Sequence, residues 1–223
     1  MARMSKNAAD VAMVGAAPGI AATPAISGVG FAGPFWGLAF SLGGGFAAGT
    51  IALVSQRFGA EAFDQLGRAI RAGVVVVTLT TLPVALVFAL YPRALIDLLT
   101  TSQAALEYGA IYLEILALGV PFAALNLVGS RALIGADDAR TPMLLRGGGA
   151  IVNILLNGLL IFGLGMGVAG AAWGTVISNV LVTGLFALGL VLGRLPGIGA
   201  FPVTVSARGR YVVWSDIRDI VSI

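Results

Sequence analysis

The 223-residue chain has no cysteine and no histidine. Those absences remove disulfides, thiol nucleophiles, imidazole general bases and most zinc or haem ligand sets. Charge is also scarce: 10% of residues are Asp, Glu, Lys or Arg, where a soluble domain carries about 25%. The scarcity is concentrated in two places. Val11 to Gln56 is a run of 46 residues without a charge, and Gly147 to Gly193 is a run of 47. A bilayer-crossing helix needs roughly 20 apolar residues, so each run is long enough for two passes and a turn. No soluble domain of this size buries that much uninterrupted apolar chain, and the mean hydropathy of +0.99 agrees. The net charge of +3 is small, and the basic residues sit in the gaps between apolar runs. Orientation in a bilayer explains them without nucleic acid as a partner.

What is present is a series of apolar segments punctuated by Pro, Gly and charge. They run over about 7–22 (broken at Pro18-Gly19), 27–56, 72–91 (with Pro83), 108–130 (kinked at Pro121), 147–162 and 168–193. The first is the weakest candidate for a full span. Arg3 and Lys6 ahead of an apolar stretch mimic a signal peptide, but the apolar chain continues for dozens of residues. Barrel strands would alternate apolar and polar residues over about ten positions, and these runs are apolar on every face. The fold class expected is all-α: a polytopic transmembrane helix bundle over 1–195, followed by a linker over 196–223.

Ten arginines occupy alternate gaps and the tail: Arg57, Arg68, Arg71, Arg131, Arg140, Arg146, Arg194, Arg208, Arg210 and Arg218; the intervening gaps hold Arg93 alone. By the positive-inside rule the basic loops and the C-terminal tail are expected in the cytoplasm, with the chain multi-pass in the plasma membrane. Glu61, Asp64 and Arg68 recur at helical spacing, which fits either a short interfacial helix or a solvated loop. Gly45/Gly49 and Gly170/Gly174 are small-xxx-small pairs that favour close helix packing and carry no specific activity.

A charge inside an apolar run costs on the order of 2.5 to 3.5 kcal/mol at the bilayer centre, and only Asp10 and Glu114 are candidates. Glu114, with Glu107 nearby, is expected at the outer interface. Asp10 fits a solvated position near the N-terminus or a buried functional one. Asn153 and Asn157, four apart, share one helical face, suiting either a cation-binding cavity or mutual hydrogen bonding. Asn126 and Asn179 are weaker cases of the same kind. The segment Arg131-Ala-Leu-Ile-Gly-Ala-Asp-Asp-Ala-Arg-Thr-Pro-Met143 reads as a helix-turn-helix hinge: Gly135 ends one helix and Pro142 suits the first turn of the next. Asp137 and Asp138 are adjacent and point in different directions, and no nucleophile with a base or metal-ligand cluster appears. Enzyme activity is not expected.

That segment resembles the loop between the fourth and fifth helices of multidrug and toxic compound extrusion (MATE) transporters. Asn7 to Gly15 is similar to the acid-containing part of the family's first helix. Gly49-Thr50 through Ser55-Gln56 to Gly59-Ala60 resembles the end of its second helix, and Asn153 to Gly163 with Gly167 to Thr175 resembles its fifth helix and the entry to its sixth. The resemblance implies one six-helix lobe, with its first helix truncated, of a carrier built from two lobes related by a pseudo-two-fold axis. Tyr211 to Ile223 resembles the approach to a seventh helix. It also implies a cation-coupled antiporter that exports amphiphilic organic compounds by alternating access. There is no cofactor beyond the coupling ion, H⁺ or Na⁺, which would load at Asp10 with Asn153 and Asn157. Asn7, Asn126 and Asn179 would face the substrate cavity. Asn157 stands where that site often carries a second Asp. The implied partners are the bilayer, small organic substrates and a second lobe. The alternatives are a lipid-linked oligosaccharide flippase of the same superfamily, whose cavity is commonly lined with basic residues that these runs lack, and a non-transporting scaffold or inert fragment.

Overall fold

The computed structural model describes residues 2–206 and 213–222; the side chains of residues 2–7 and of Ser222 lie outside that description. Nearly everything described is helical: α1 Ala2–Gly15, α2 Ala22–Gly59, α3 Phe63–Leu90, α4 Pro92–Asp97, α5 Gln103–Ala117, α6 Val120–Gly135, α7 Arg140–Asn157, a π-helical turn Gly158–Gly163, α8 Gly167–Leu192 and α9 Trp214–Ser222. The strands β1 Arg194–Leu195 and β2 Gly199–Ala200 form one small antiparallel hairpin. Among the described residues four helices are long and apolar enough to cross a membrane, counting α7 with its π turn, and α5 with α6 makes a fifth span if taken as one bent element. Only 28–44% of each of the four apolar windows is buried. The remainder is Leu-, Val- and Ile-rich surface such as Leu79, Leu86, Leu155 and Leu188, which acyl chains cover and water would not tolerate.

The segment boundaries depart from those expected in ways the backbone explains. The first helix ends at Gly15, because Pro18 disfavours helix in the residue before it and supplies no N–H. The third begins at Phe63: no proline falls between Asp64 and Arg71, so the residues read as an interfacial helix or a solvated loop are its first turns. Glu61 stays outside, in a turn with φ 55°. The fourth is two helices bent by 50°. Pro121 supplies no N–H across the break, and the amides of Leu118 and Gly119 turn back to Ile115 and Leu116 instead. The fifth starts at Arg140, with the Asp138 carboxylate accepting from the Thr141 amide at 2.9 Å as a helix cap.

The chain divides into two compact units, and several helices contribute to both. The first comprises Met1–Ala39, Leu82–Val120 and Gly147–Val180. Here α2 and α5 cross at Gly28 and Gly109; a Cβ at Gly28 would stand 2.7 Å from the Gly109 nitrogen, so only glycine permits the approach. Phe35 and Phe88 meet edge to face at 5.9 Å, and Glu114 is exposed.

The second unit comprises Phe40–Thr81, Pro121–Arg146 and Leu181–Ile223. Its apolar core includes Val54, Leu66, Ile70, Leu133 and Phe186. Beyond Leu195, where a linker is expected, several of the described residues fold onto this core. Phe201 packs on Gly189, Val203 is buried, and the Val205 amide donates to the Leu190 carbonyl at 2.8 Å. The amphipathic α9 buries Asp216 and Ile220, and Ile220 lies against Gly49. Arg57 forms an ion pair with Asp216, Arg68 Nε stands 3.9 Å from the same carboxylate, and Arg71 donates to the Ser206 carbonyl at 2.8 Å. Three arginines read from sequence as orientation signals thus also hold the tail.

Candidate functional site

Asp10, Asn153 and Asn157 are buried in the first unit, with Asp10 2% exposed and both asparagines fully covered. Helix α1 carries Asp10 inward. The last turns of α7 present Asn153 and Asn157, and the π turn that follows begins at the next residue. Asn157 Nδ2 donates to Asp10 Oδ1 at 2.5 Å. Asn153 reaches the acid through an intermediary: its Nδ2 donates to Thr175 Oγ1 at 3.1 Å, and that hydroxyl donates to Asp10 Oδ2 at 3.1 Å. Tyr112 from α5 donates its hydroxyl to the same Oδ2 at 3.0 Å. Four helices, α1, α5, α7 and α8, therefore converge on one carboxyl group.

Tyr112 and Thr175 were not singled out from sequence. Tyr112 lies in an apolar stretch, and its signal is that a buried phenol seeks a hydrogen-bond partner. For Thr175 the signal is Gly170 and Gly174 just before it, which bring α8 close enough for a short side chain to reach across. Asn7 lies on α1, but its side chain is outside the described residues. Asn126 belongs to the second unit, where its Oδ1 accepts from Thr183 at 2.8 Å. Asn179 is half-buried on α8, one turn beyond Thr175 in the first unit.

The hydrogen bonds from Tyr112, Thr175 and Asn157 bring hydroxyl and amide dipoles to the carboxyl. Hydrogen bonds to a charged group contribute about 1.5–3 kcal/mol each, so such donors lower the cost of holding a carboxylate here. They carry no formal charge to cancel it. Asn153 Oδ1 is buried without a partner, leaving lone pairs beside the network. Among the described residues no group of three or more His, Cys, Asp or Glu could hold a metal ion. The printed donors from α5, α7 and α8 are neutral hydroxyl and amide groups. Beside it a cavity of about 150 Å³ is lined by Val11, Gly30, Gly33, Trp36, Tyr112 and Thr175. Tyr112 and Thr175 thus face both the cavity and the acid.

The family model for MatE matches residues 3–159. The chain belongs to the MatE family. Among curated relatives it is 34% identical over 178 residues to DNA damage-inducible protein F of Escherichia coli (strain K12), covering 73% of this chain and 36% of that one. It is 26% identical over 139 residues to Multidrug and toxin extrusion protein 2 of Mus musculus, covering 62% and 24%. Solved structures agree on the fold. A MATE in the bent conformation superposes with a TM-score of 0.80 at 26% identity, over 99% of this chain and 47% of that one. A MATE bound to MaL6 gives 0.85 at 24% identity, over 100% and 47%. The chain spans about a quarter to a third of the length of these curated relatives and about half of the solved transporters, consistent with the N-terminal lobe of a MATE transporter, an integral membrane protein. Asp10, Tyr112, Asn153 and Asn157 fall inside the MatE match, and Thr175 lies just beyond it.

Proposed function

We propose that this chain is the N-terminal half of a cation-coupled antiporter that exports amphiphilic organic compounds, with Asp10 as the group that loads the coupling cation. One observation carries the reading: the buried Asp10 carboxyl draws donors from three other helices, Tyr112, Asn157 and Thr175. An ionisable group at such depth is expensive, and in membrane carriers it marks an ion or proton route. The relative named for multidrug and toxin extrusion supports export as the direction of work.

The donor set favours H⁺ over Na⁺. A hard cation seeks oxygen lone pairs, whereas here N–H and O–H groups already point at the carboxyl oxygens, and a proton on one of them displaces a single donor. Loading the acid changes what Asn157 holds, and Asn157 opens directly into the π turn Gly158–Gly163, against which α1 packs. Such turns recur at functional sites because their looser ladder shifts at low cost. Gain or loss of the cation thereby reaches the helix that frames the site. The second lobe supplies the opposite wall of the transport path, and the basic loops and tail face the cytoplasm of a plasma membrane.

The test is efflux of ethidium, a cationic amphiphile, from proteoliposomes holding the protein at its natural length, driven by an imposed H⁺ or Na⁺ gradient. Asp10→Asn should remove gradient-driven efflux and leave passive leak unchanged. Efflux at the wild-type rate in that variant would refute the coupling role.

A further inference from the structure

We infer that Gly174 is a positioning residue: the side chain it lacks is the space into which the Asn157 amide turns to reach Asp10, so position 174 sets the affinity of the coupling site for its cation. This rests on the reading of Asp10 given above and adds the residue that tunes it. Gly170 and Gly174 lie four apart on one face of α8, and their spacing alone implies no role beyond packing. The structure separates them. A Cβ at Gly170 would meet backbone, 2.9 Å from the Leu160 carbonyl carbon and 3.0 Å from the Ile161 nitrogen. A Cβ at Gly174 would overlap Asn157 Oδ1 and stand 3.1 Å from its Cγ. What gives way at 170 is the helix; what gives way at 174 is an amide.

That amide has little freedom. Its Oδ1 accepts from Asn153 at 3.5 Å while its Nδ2 donates to Asp10 at 2.5 Å. The Asn157 backbone nitrogen lies 3.3 Å from the same hypothetical Cβ, so the main chain offers no retreat either. An alanine in place of Gly174 therefore displaces the side chain and breaks its bond to the acid. Glycine is among the poorest helix formers, and a closely fitted neighbour of this kind accounts for it in the interior of α8.

The experiment is a double-mutant cycle on the protein at its natural length. Asn157→Ala, Gly174→Ala and the pair are compared by the cation concentration that gives half-maximal ethidium efflux from proteoliposomes. One hydrogen bond to a charged group corresponds to a shift of about tenfold. Each single substitution should shift the value by about that factor. The double substitution should shift it no further than Asn157→Ala alone, because the amide atoms that the added methyl group would strike are gone. An unshifted value in Gly174→Ala, or shifts that multiply in the double variant, would reduce Gly174 to packing and overturn the proposal. If Gly174→Ala fails to fold, recovery of folding by adding Asn157→Ala supports it and failure of both overturns it. If Asp10→Asn and Asn157→Ala both leave efflux untouched, the coupling role of Asp10 falls by itself. Positioning is then read from the ¹⁵N spectrum of asparagine-labelled protein: the side-chain NH₂ signal of Asn157, identified by its loss in Asn157→Ala, should move in Gly174→Ala, and an unmoved signal would overturn the proposal.

Discussion

Asp10 in the first unit and Asp216 in the second are buried alike, 2% and 3% exposed, yet they meet opposite chemistry. Asp216 faces the guanidinium groups of Arg57 and Arg68, fixed positive charges that hold α9 in place. Asp10 receives hydroxyl and amide donors from Tyr112, Thr175 and Asn157. A carboxylate beside an arginine has its counter-charge built in. Hydroxyl and amide donors bring dipoles to a carboxylate and no formal charge of their own. Burial alone therefore says little about what an acid does; the chemical kind of the groups that reach it says more.

The contrast breaks most visibly at Asp216. Removing one partner of a buried pair costs about 3–5 kcal/mol because the other charge is stranded, so Asp216→Asn should lower thermal stability in detergent by that order. Asp10→Asn, which keeps the shape and some of the hydrogen bonds, should cost about 1 kcal/mol. Equal losses in the two variants would erase the distinction. A smaller effect is expected at Gly49, where a Cβ would stand 2.5 Å from the Ile220 carbonyl oxygen. Gly49→Ala should cost about 1–3 kcal/mol by overpacking and speed proteolysis near residues 213–222 without moving the half-saturating cation concentration.

The remaining tests sharpen the comparison. Tyr112→Phe deletes one donor to Asp10 and should change the half-saturating cation concentration about tenfold, as for one hydrogen bond to a charged group, in ethidium efflux measured against the imposed gradient. Thr183→Val removes hydrogen bonds to the Phe122 carbonyl and Asn126 Oδ1 in the second unit. Its effect should be the smallest, about 0.6 kcal/mol of stability, with the cation dependence of efflux unchanged.

Much of this was legible in the sequence because the bilayer imposes a coarse rule. Long apolar runs are spans, a lone acid in or beside one is costly, and Asn153 and Asn157 share a face by spacing alone. The acid and one amide do meet directly, and the other amide joins through Thr175. Less legible were features set by close approach. Tyr112 and Thr175 read as ordinary members of apolar helices until α5 and α8 are brought near α1, and Gly174 reads as packing until the amide beside it is placed. The tail escapes a linear reading for a related reason: Arg57 and Arg68 read from sequence as orientation signals, and only folding of the chain after Leu195 brings Asp216 to them.

The central claim, that Asp10 changes state with the coupling cation while Asp216 does not, is tested most directly by infrared difference spectra between cation-loaded and cation-depleted protein. The account predicts carboxyl bands in the wild-type difference spectrum that vanish in Asp10→Asn and persist in Asp216→Asn. Identical difference spectra in wild type and Asp10→Asn would contradict it.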